Sequence, residues 1–383
     1  MRLKADWLED PRAQAACALL VDAGAQAFFV GGCVRNTLLG TDVSDIDIAT
    51  NARPDAVMKA AEESGFHVVP TGIEHGTVTV VIEQMPFEIT TFRRDVETDG
   101  RRAVIAFADR IEDDALRRDL TMNALYAKPS GDVVDPLGGL QDVLARRIRF
   151  IADARARIRE DYLRILRFFR FFAWYGDAEH GLDAEGLAAC TELADGLYQL
   201  SKERIGNELT KLLQSPDPAP AMAAFAQTGG LERILPGASA KDLGALVQLE
   251  KHNRLAPSAT RRLASLGRTD FRARLRLSKA DAKEVDDIQT AAFSTRLPAE
   301  IGYRLGYQTA QDALILRGVY SDAQNLPKDI AAAERGAKAT FPISAADIMP
   351  RFSGVELGAE LRRLEAIWIA SDFTMRRDAL LSF

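Results

Sequence analysis

The pattern of hydrophobic and polar positions changes near residue 150. Before it, short runs rich in β-branched and aromatic residues at 27–30, 77–82 and 87–91 predict strands, and the pattern at 54–64 predicts a helix. After it, the chain is rich in Ala, Leu, Glu and Arg, most of which favour helices. We therefore expect an α/β head followed by an all-α C-terminal region.

Proline-containing breaks divide the helical region. They lie at residues 215–218, 235–237, 256–257 and 326–327, and prolines of this kind usually mark turns or helix ends. The sequence shows no fixed-period repeat, so we expect helix pairs between the breaks instead of a repeat array.

A glycine turn stands at the end of the first predicted strand. Gly31 and Gly32 follow the apolar run 27–30 and precede a short helical stretch. Free backbone N–H groups at such a turn, together with Arg35, are suited to bind a polyphosphate. An ordinary strand-to-helix turn is the alternative, and the pattern alone leaves both open.

Two aspartates follow ten residues after Arg35. Because residues alternate between the two faces of a strand, Asp45 and Asp47 project to the same side. Ile46 and Ile48 then face the core. Two carboxylates without a nearby Cys or His favour Mg²⁺ over Zn²⁺ and suit phosphoryl transfer. The alternative is a surface strand with solvated acids.

Glu88 offers a third carboxylate. The hairpin-like run 75–80 leads to the strand-like segment 87–93, which we expect to lie beside the strand of Asp47. In that position Glu88 would ligate a metal or activate an attacking hydroxyl.

The residues after this strand carry polar groups with little periodicity. Segment 93–114 predicts a mobile loop. Residues 117–125 then place arginine and aspartate at a predicted helix. In the turn that follows, we expect Asp135 to act as a structural helix cap.

Composition describes an ordinary globular protein. The 383 residues are 47% hydrophobic and 27% charged, which is enough chain for two or more domains. No run approaches the roughly 18 apolar residues of a membrane span, and the charged N-terminal segment lacks an apolar signal core, so we expect cytoplasmic residence. The scattered cysteines predict reduced thiols, and the isolated histidines argue against a histidine-based hydrolase. They are Cys17, Cys33 and Cys190, and His67, His75, His180 and His252.

Basic residues are unevenly placed despite a net charge of −6. Nine arginines lie between residues 146 and 170. A second cluster contains Arg254, Arg261, Arg262, Arg268, Arg272, Arg274, Arg276 and Lys279. Such patches can track a phosphate backbone. A solvated helix face explains the second cluster equally well.

Asp161, Arg164 and Arg167 share one predicted helix face at a spacing of three residues. An intrahelical salt bridge would explain the spacing. Nucleobase recognition would also explain it, because cytosine and adenine offer an amine donor beside a ring-nitrogen acceptor, whereas uracil and guanine offer the reverse order. A carboxylate with a guanidinium would reject U and G, since each unpaired buried polar group costs about 1–3 kcal/mol.

Seven motifs in chain order resemble the class II tRNA nucleotidyltransferases, a family that includes the CCA-adding enzymes and the bacterial poly(A) polymerases. They are GGCVRN, DIDIAT, ITTFR, RRDLTMNALYA, DPLGG, EDYLRILRFFRF and SKERIGNEL. The resemblance continues to residues 343–348 and Trp368. It implies a polymerase-beta-type α/β nucleotidyltransferase head with a mixed or antiparallel five-stranded sheet at 1–150. Helical neck, body and tail domains would follow at 151–235, 236–326 and 327–383.

The resemblance also assigns site residues. It implies that Gly32 and Arg35 bind the triphosphate and that Asp45 and Asp47 bind Mg²⁺. It also implies that Asp45, Asp47 and Glu88 are catalytic. The remaining assignments are to nucleotide binding, including base and phosphate contacts: Arg118, Asp161, Arg164, Arg167 and Arg170.

Within this family, segment 68–79 resembles the CCA-adding enzymes, which use CTP, ATP and the tRNA acceptor arm. Poly(A) polymerases usually carry a basic strand there. Asn36 departs from the usual aspartate, and Ala103 replaces a frequent proline in the loop that would help the pocket change from C to A. A poly(A) polymerase, a partial CC- or A-adding enzyme and a non-catalytic RNA-binding module stay as alternatives. The sequence leaves the oligomeric state open.

Overall fold

The computed structural model describes residues 1–98, 103–321 and 323–383. The chain divides into two compact units, Met1–Ile234 and Leu235–Phe383. Among the described residues, all strands lie in the first unit. An α/β head followed by helices is therefore confirmed.

The first unit contains a mixed sheet and a separate hairpin. The strands are β1 (Ala27–Val30), β2 (Asp47–Thr50), β3 (His67–Gly72), β4 (Thr77–Ile82), β5 (Met85–Thr91), β6 (Arg93–Thr98), β7 (Ala103–Phe107), β8 (Tyr126–Ala127) and β9 (Val133–Val134). The sheet order is β3-β4-β5-β2-β1-β8-β9, whereas β6 and β7 form a separate two-stranded sheet. Within the described range the sheet has seven strands instead of the expected five, because the two-residue strands β8 and β9 extend one edge.

Helices of the first unit pack around this sheet and continue beyond it. They are α1 (Asp6–Glu9), α2 (Pro11–Asp22), α3 (Gly32–Leu39), α4 (Pro54–Glu63), α5 (Ile111–Leu116), α6 (Gly139–Leu144), α7 (Ala154–Glu160), α8 (Leu163–Tyr175), α9 (Ala184–Glu192), α10 (Lys202–Leu213), α11 (Ala219–Gln227) and α12 (Gly230–Ile234). Side chains cap several starts by accepting backbone N–H bonds, as at Asp10, Asp153, Asp183 and Ser201.

The register of the central strands places the acidic residues. β2 and β5 pair in parallel, with Asp47 opposite Glu88, which confirms that these strands are neighbours. β2 begins at Asp47, so Asp45 lies just before the strand. Ile46 and Ile48 are buried, as the alternation predicts.

The prediction of a mobile loop at 93–114 is wrong for the part of that segment that the structure describes. β6 and β7 form an antiparallel hairpin with Arg93 opposite Phe107, and α5 follows. The backbones of the two strands hydrogen-bond to each other, a pairing that weak periodicity within either segment does not reveal. Residues 99–102 lie outside the described residues.

The second unit is helical. Its helices are α13 (Leu243–His252), α14 (Ala259–Ser265), α15 (Phe271–Leu275), α16 (Lys279–Ala292), α17 (Pro298–Leu305), α18 (Tyr307–Tyr320), α19 (Leu326–Ala337), α20 (Ala345–Ile348), α21 (Gly354–Ala370) and α22 (Arg377–Leu381). Short 3₁₀ turns occur in both units, at Ile73–His75, Thr121–Asn123, Ala194–Gln199 and Ala323–Asn325. Near the C-terminus, Trp368 packs edge-on against Phe373 with ring centroids 4.8 Å apart.

Two arginines of the second basic cluster are buried in the second unit. Arg261 and Arg262 are each 1% exposed and pair with the buried Glu250, while Arg261 also pairs with Asp312. Because they are buried, these two residues neither contribute to a surface patch that binds a phosphate backbone nor lie on a solvated helix face. Their acidic partners come from α13, 11 and 12 residues away, and from α18, 51 residues from Arg261, and compensate their charge.

In the described part of the chain, no helix is long and apolar enough to cross a membrane. The three cysteines are free and buried, which confirms that they are thiols.

Candidate active site

The glycine turn has a backbone that only glycine adopts readily. Gly31 has φ 70° and ψ −113°, and α3 begins at the next residue, Gly32. A Cβ atom on Gly31 would lie 3.4 Å from Nη1 of Arg118. The start of α3 carries no side-chain cap, so its first backbone N–H groups are available to an anion.

Arg35 projects from α3 into a buried position, where it is 7% exposed. Its guanidinium donates to Oδ1 of Asn123 at 2.5 Å, to Oδ1 of Asn36 at 2.9 Å and to the hydroxyl of Tyr175 at 3.0 Å. It also lies 4.4 Å from the centroid of the Tyr175 ring. These hydrogen-bond acceptors are uncharged, and burial lowers the pKa of Arg35.

Asn36 connects this arginine to the loop that leads to β2. Its Oδ1 accepts from Arg35, and its Nδ2 donates to the carbonyl of Asp42 at 2.7 Å. The carbonyl of Asn36 also accepts from the backbone N–H of Thr41. A carboxylate at position 36 could accept from Arg35 but could not donate to Asp42.

Asp47 lies in an acidic setting. Burial and the nearby charge of Glu88, with a smaller effect from Asp45, raise the pKa of Asp47 to about 6, although Arg118 opposes the shift. Asp45 is exposed and its carboxylate accepts from the hydroxyl of Ser44 at 2.9 Å. The structure thus brings together the three predicted carboxylates, with Arg118 as the nearby cation.

These carboxylates suit a hard divalent cation. Asp45 and Asp47 offer oxygen ligands, and a bound cation would offset the repulsion that raises the pKa of Asp47. Within the described range, no group of three or more His, Cys, Asp or Glu side chains is close enough to hold a metal alone. Two carboxylates with phosphate oxygens and water match the usual magnesium site, which is seldom an all-protein cage.

Arg118 lies beside the glycine turn, in a bend after α5 and not on the predicted helix at 117–125. Its Nη2 donates to Oδ2 of Asp114 at 3.0 Å and its Nη1 to the carbonyl of Asn123 at 3.3 Å. Burial by itself would raise the pKa of Asp114, but the charges of Arg118 and Arg117 hold it at about 2. Asp114 therefore fixes Arg118 as an ion pair.

Asp119 is a residue of the site that sequence reasoning did not single out. Its Oδ2 accepts from Nε of Arg167 at 2.6 Å, and its Oδ1 accepts from Nδ2 of Asn123 at 3.0 Å. Since Asn123 also accepts from Arg35, hydrogen bonds join α8 to α3. The signal available in the sequence was an acidic residue next to arginines. Its partners Arg167 and Asn123 lie 48 and 4 residues away, so the sequence alone did not identify them.

Asp161 and Arg164 do not pair with each other. Asp161 lies in extended conformation between α7 and α8, not on a helix face. Its Oδ2 accepts from Nη2 of Arg204 at 2.6 Å, and its Oδ1 accepts from the backbone N–H of Leu163 at 3.1 Å. Arg164 instead pairs with Glu160 at 2.5 Å. The prediction that Asp161 shares a helix face with Arg164 is wrong, because α7 ends at Glu160 and α8 begins at Leu163, which leaves Asp161 with extended backbone in the break between the two helices.

Arg167 and Arg170 follow on one face of α8. Nε of Arg170 donates to Oε2 of Glu208 at 2.5 Å, and both guanidiniums lie against the ring of Phe171, at 5.3 and 4.5 Å from its centroid. Glu208 of α10 is 7% exposed. The two arginines are thus anchored by acids from different segments.

Asp135 behaves as the expected cap. Its carboxylate oxygens accept from the backbone N–H groups of Gly139 and Leu140, at 2.9 and 3.0 Å, at the start of α6. The structural assignment is confirmed.

Comparison with known proteins gives consistent matches. Residues 27–149 match the model described as "Poly A polymerase head domain", and residues 181–241 match "Probable RNA and SrmB- binding site of polymerase A". The chain is 33% identical over 380 residues to the protein named "CCA tRNA nucleotidyltransferase 1, mitochondrial" of Mus musculus, covering 92% of this chain and 85% of that protein. It is 33% identical over 363 residues to the "CCA-adding enzyme" of Streptococcus sanguinis, covering 90% and 89%.

A solved structure is similar as well. The crystal structure of the Bacillus stearothermophilus CCA-adding enzyme in complex with CTP aligns with a TM-score of 0.76 and 29% identity. The alignment covers 96% of this chain and 93% of that one.

Proposed function

The chain belongs to the family of CCA-adding tRNA nucleotidyltransferases, and on that premise we propose that it adds CMP, CMP and AMP from CTP and ATP to the 3′ end of tRNA. The addition needs no nucleic-acid template, and each step releases pyrophosphate. The observation that carries the proposal is the placement of Asp47 beside Glu88 on paired strands next to the Gly31 turn.

The triphosphate binds at the start of α3. Backbone N–H groups from Gly32 onward face the incoming anion, and Arg35 supplies a positive charge whose present hydrogen-bond acceptors are uncharged. Arg118 supplies a second cation beside the same turn. Binding there places the α-phosphorus near Asp45 and Asp47.

The family uses a divalent metal, and we assign Mg²⁺ to Asp45 and Asp47. When bound, Mg²⁺ lowers the pKa of the tRNA 3′-hydroxyl and offsets charge on the triphosphate. In this proposal Asp45 and Asp47 hold their oxygens toward the reacting groups, and Glu88 accepts the hydroxyl proton; the register of Asp47 opposite Glu88 supports this role. The 3′-oxygen then forms its bond to the α-phosphorus as the bond to pyrophosphate breaks.

Base selection falls to the segment around α8. Asp161 accepts a hydrogen bond from the exocyclic amine of cytosine or adenine, and Arg164 donates a hydrogen bond to the adjacent ring nitrogen. Arg167 and Arg170 contact phosphate or base from the same helix face. Support comes from the anchoring of each of these side chains by a named partner in the structure.

The head (1–150), neck (151–235), body (236–326) and tail (327–383) divide the work. The head and neck form the nucleotide site, and the tail grips the tRNA acceptor arm by backbone shape, because double-helical RNA exposes little readable sequence in its deep groove. We also propose that the protein resides in the cytoplasm.

The test is nucleotide addition to tRNA lacking its 3′ end. Purified protein is incubated with each nucleotide singly and together, and products are resolved at single-nucleotide length. We expect CCA from CTP plus ATP. Long adenosine tracts without cytidine would identify a poly(A) polymerase, and arrest after CC or A alone a partial enzyme. Binding without any addition would identify an RNA-binding module.

A further inference from the structure

Arg204 occupies a helix position that favours the opposite charge. It is the third residue of α10, whose start is capped by Ser201. A Glu or Gln at this position would complete a capping box, and the positive end of the helix dipole disfavours a cation. The start of α10 therefore gives no local reason for an arginine here.

The reason lies across the fold in the ion pair with Asp161. Nη2 of Arg204 donates to Oδ2 of Asp161 at 2.6 Å, while the backbone N–H of Leu163 donates to Oδ1 at 3.1 Å. The side chains of Arg204 and Asp161 are 38% and 28% exposed. A pair this exposed contributes little to stability, so its main effect is on the direction of the carboxylate.

The backbone at Asp161 is also held in place. The ring of the next residue, Tyr162, packs on Gly196 so closely that a Cβ atom there would lie 1.9 Å from the ring. The main chain around Asp161 therefore has little room to shift. What stays adjustable is rotation of the carboxylate, and Arg204 restrains that rotation by binding Oδ2, the oxygen that Leu163 does not bind.

We propose that Arg204 is a positioning residue for nucleotide selection, which holds Asp161 toward the amine of cytosine or adenine. The inference rests on the proposed base-reading role of Asp161. A carboxylate can accept more hydrogen bonds than the two it has here, so it can accept a base amine without leaving Arg204. A fixed carboxylate repels the carbonyl oxygen of uracil or guanine, whereas a free one rotates away and tolerates it.

The test compares Arg204→Met with a matched ion-pair variant, Arg233→Met. Arg233 pairs with Asp195 at 2.7 Å, in the same unit and on the surface. Specificity constants (kcat/KM) are measured for CTP, UTP, ATP and GTP on tRNA primers. We expect Arg204→Met to lower the CTP/UTP and ATP/GTP ratios about tenfold, Arg204→Lys to recover part of the loss, and Arg233→Met to keep both ratios.

Other outcomes overturn the inference. An equal fall for all four nucleotides, or unchanged ratios, would mean that Arg204 does not position Asp161. If Arg204→Met no longer folds by circular dichroism, Arg204→Gln replaces it under the same criteria. The variant Asp161→Asn separates the positioning role of Arg204 from base reading by Asp161. If the CTP/UTP and ATP/GTP ratios fall in Asp161→Asn but not in Arg204→Met, only the positioning role is rejected. If the ratios are unchanged in Asp161→Asn, base reading by Asp161 is rejected as well.

Discussion

Arg167 on α8 donates from Nε to Oδ2 of Asp119 at 2.6 Å, across 48 residues of chain. Asp119 is 7% exposed, and its other oxygen accepts from the backbone of Leu120 and from Asn123. Although burial opposes ionisation, the charge of Arg167 lowers the pKa of Asp119. One carboxylate therefore fixes both Arg167, an arginine of the proposed nucleotide site, and Asn123, the asparagine that accepts from Arg35.

Asp119→Ala is expected to destabilise the protein by about 3 kcal/mol, because it leaves Arg167 and Asn123 without their acceptor in a buried setting. Urea unfolding followed by circular dichroism measures the change. Glu192→Ala is the control, since it removes an exposed partner of Arg155 and should cost less than about 1 kcal/mol. Equal losses in the two variants would contradict the buried role of Asp119.

Gly31→Ala is expected to cost about 1–3 kcal/mol and most of the activity, because φ 70° with ψ −113° is strained for any residue with a Cβ. Gly40→Ala, at the other end of α3, is the matched control. Gly40 has φ 66° and ψ 31°, and a Cβ there meets nothing within 4 Å. That variant should retain nucleotide affinity, measured by CTP titration. Loss of affinity in both variants would assign the defect to helix stability.

The ionised carboxylate of Asp114 should make the stability of the fold sensitive to acid. Its folded-state pKa of about 2 lies below the ordinary value of 3.8, so its ionised form stabilises the fold above that value. The contribution is lost as the pH falls from about 4 to about 2. The difference in unfolding free energy between the wild type and Asp114→Asn should therefore shrink over this window, measured by urea titrations. A difference constant from pH 6 to pH 2 would contradict the ion pairs with Arg117 and Arg118.

Local pattern was sufficient for the strands and breaks of the first unit. The runs at 27–30 and 77–82 form β1 and β4, and alternation around Ile48 identified the core face of β2. In each case the signal lies within a few residues: a short run of apolar and β-branched residues marks β1 and β4, and alternation at positions 46–48 marks the start of β2. The neighbouring placement of Glu88 also followed from the hairpin before it.

Long-range partners were not readable in the same way. Arg261 and Arg262 look like surface charge until Glu250 and Asp312 are brought beside them by the packing of α13, α14 and α18. Asp161 interrupts an otherwise continuous helical pattern, because it lies in the break between α7 and α8, where it accepts from the backbone N–H of Leu163.

Glu250→Ala is expected to destabilise the second unit by about 3–5 kcal/mol, because two buried guanidiniums lose their shared carboxylate. Hydrogen exchange should rise in residues 235–383. Glu334→Ala is the control, since Glu334 pairs with Lys338 on the surface of α19 and should change stability by less than about 1 kcal/mol. Unchanged exchange in Glu250→Ala would show that the cluster does not stabilise this unit.

Asp47→Asn should separate activity from stability. Burial and Glu88 raise the pKa of Asp47 to about 6, so the wild type loses stability as the pH rises from about 4 through 6 without metal. The variant lacks that charge and should be about 1 kcal/mol more stable at pH 8, while nucleotide addition falls at least about a hundredfold. Metal binding by Asp47 is measured by thermal unfolding with and without Mg²⁺. The ion should raise the unfolding temperature of the wild type and of Asp55→Asn, an exposed control, but not that of Asp47→Asn. Equal stabilisation of all three would reject Asp47 as a metal ligand.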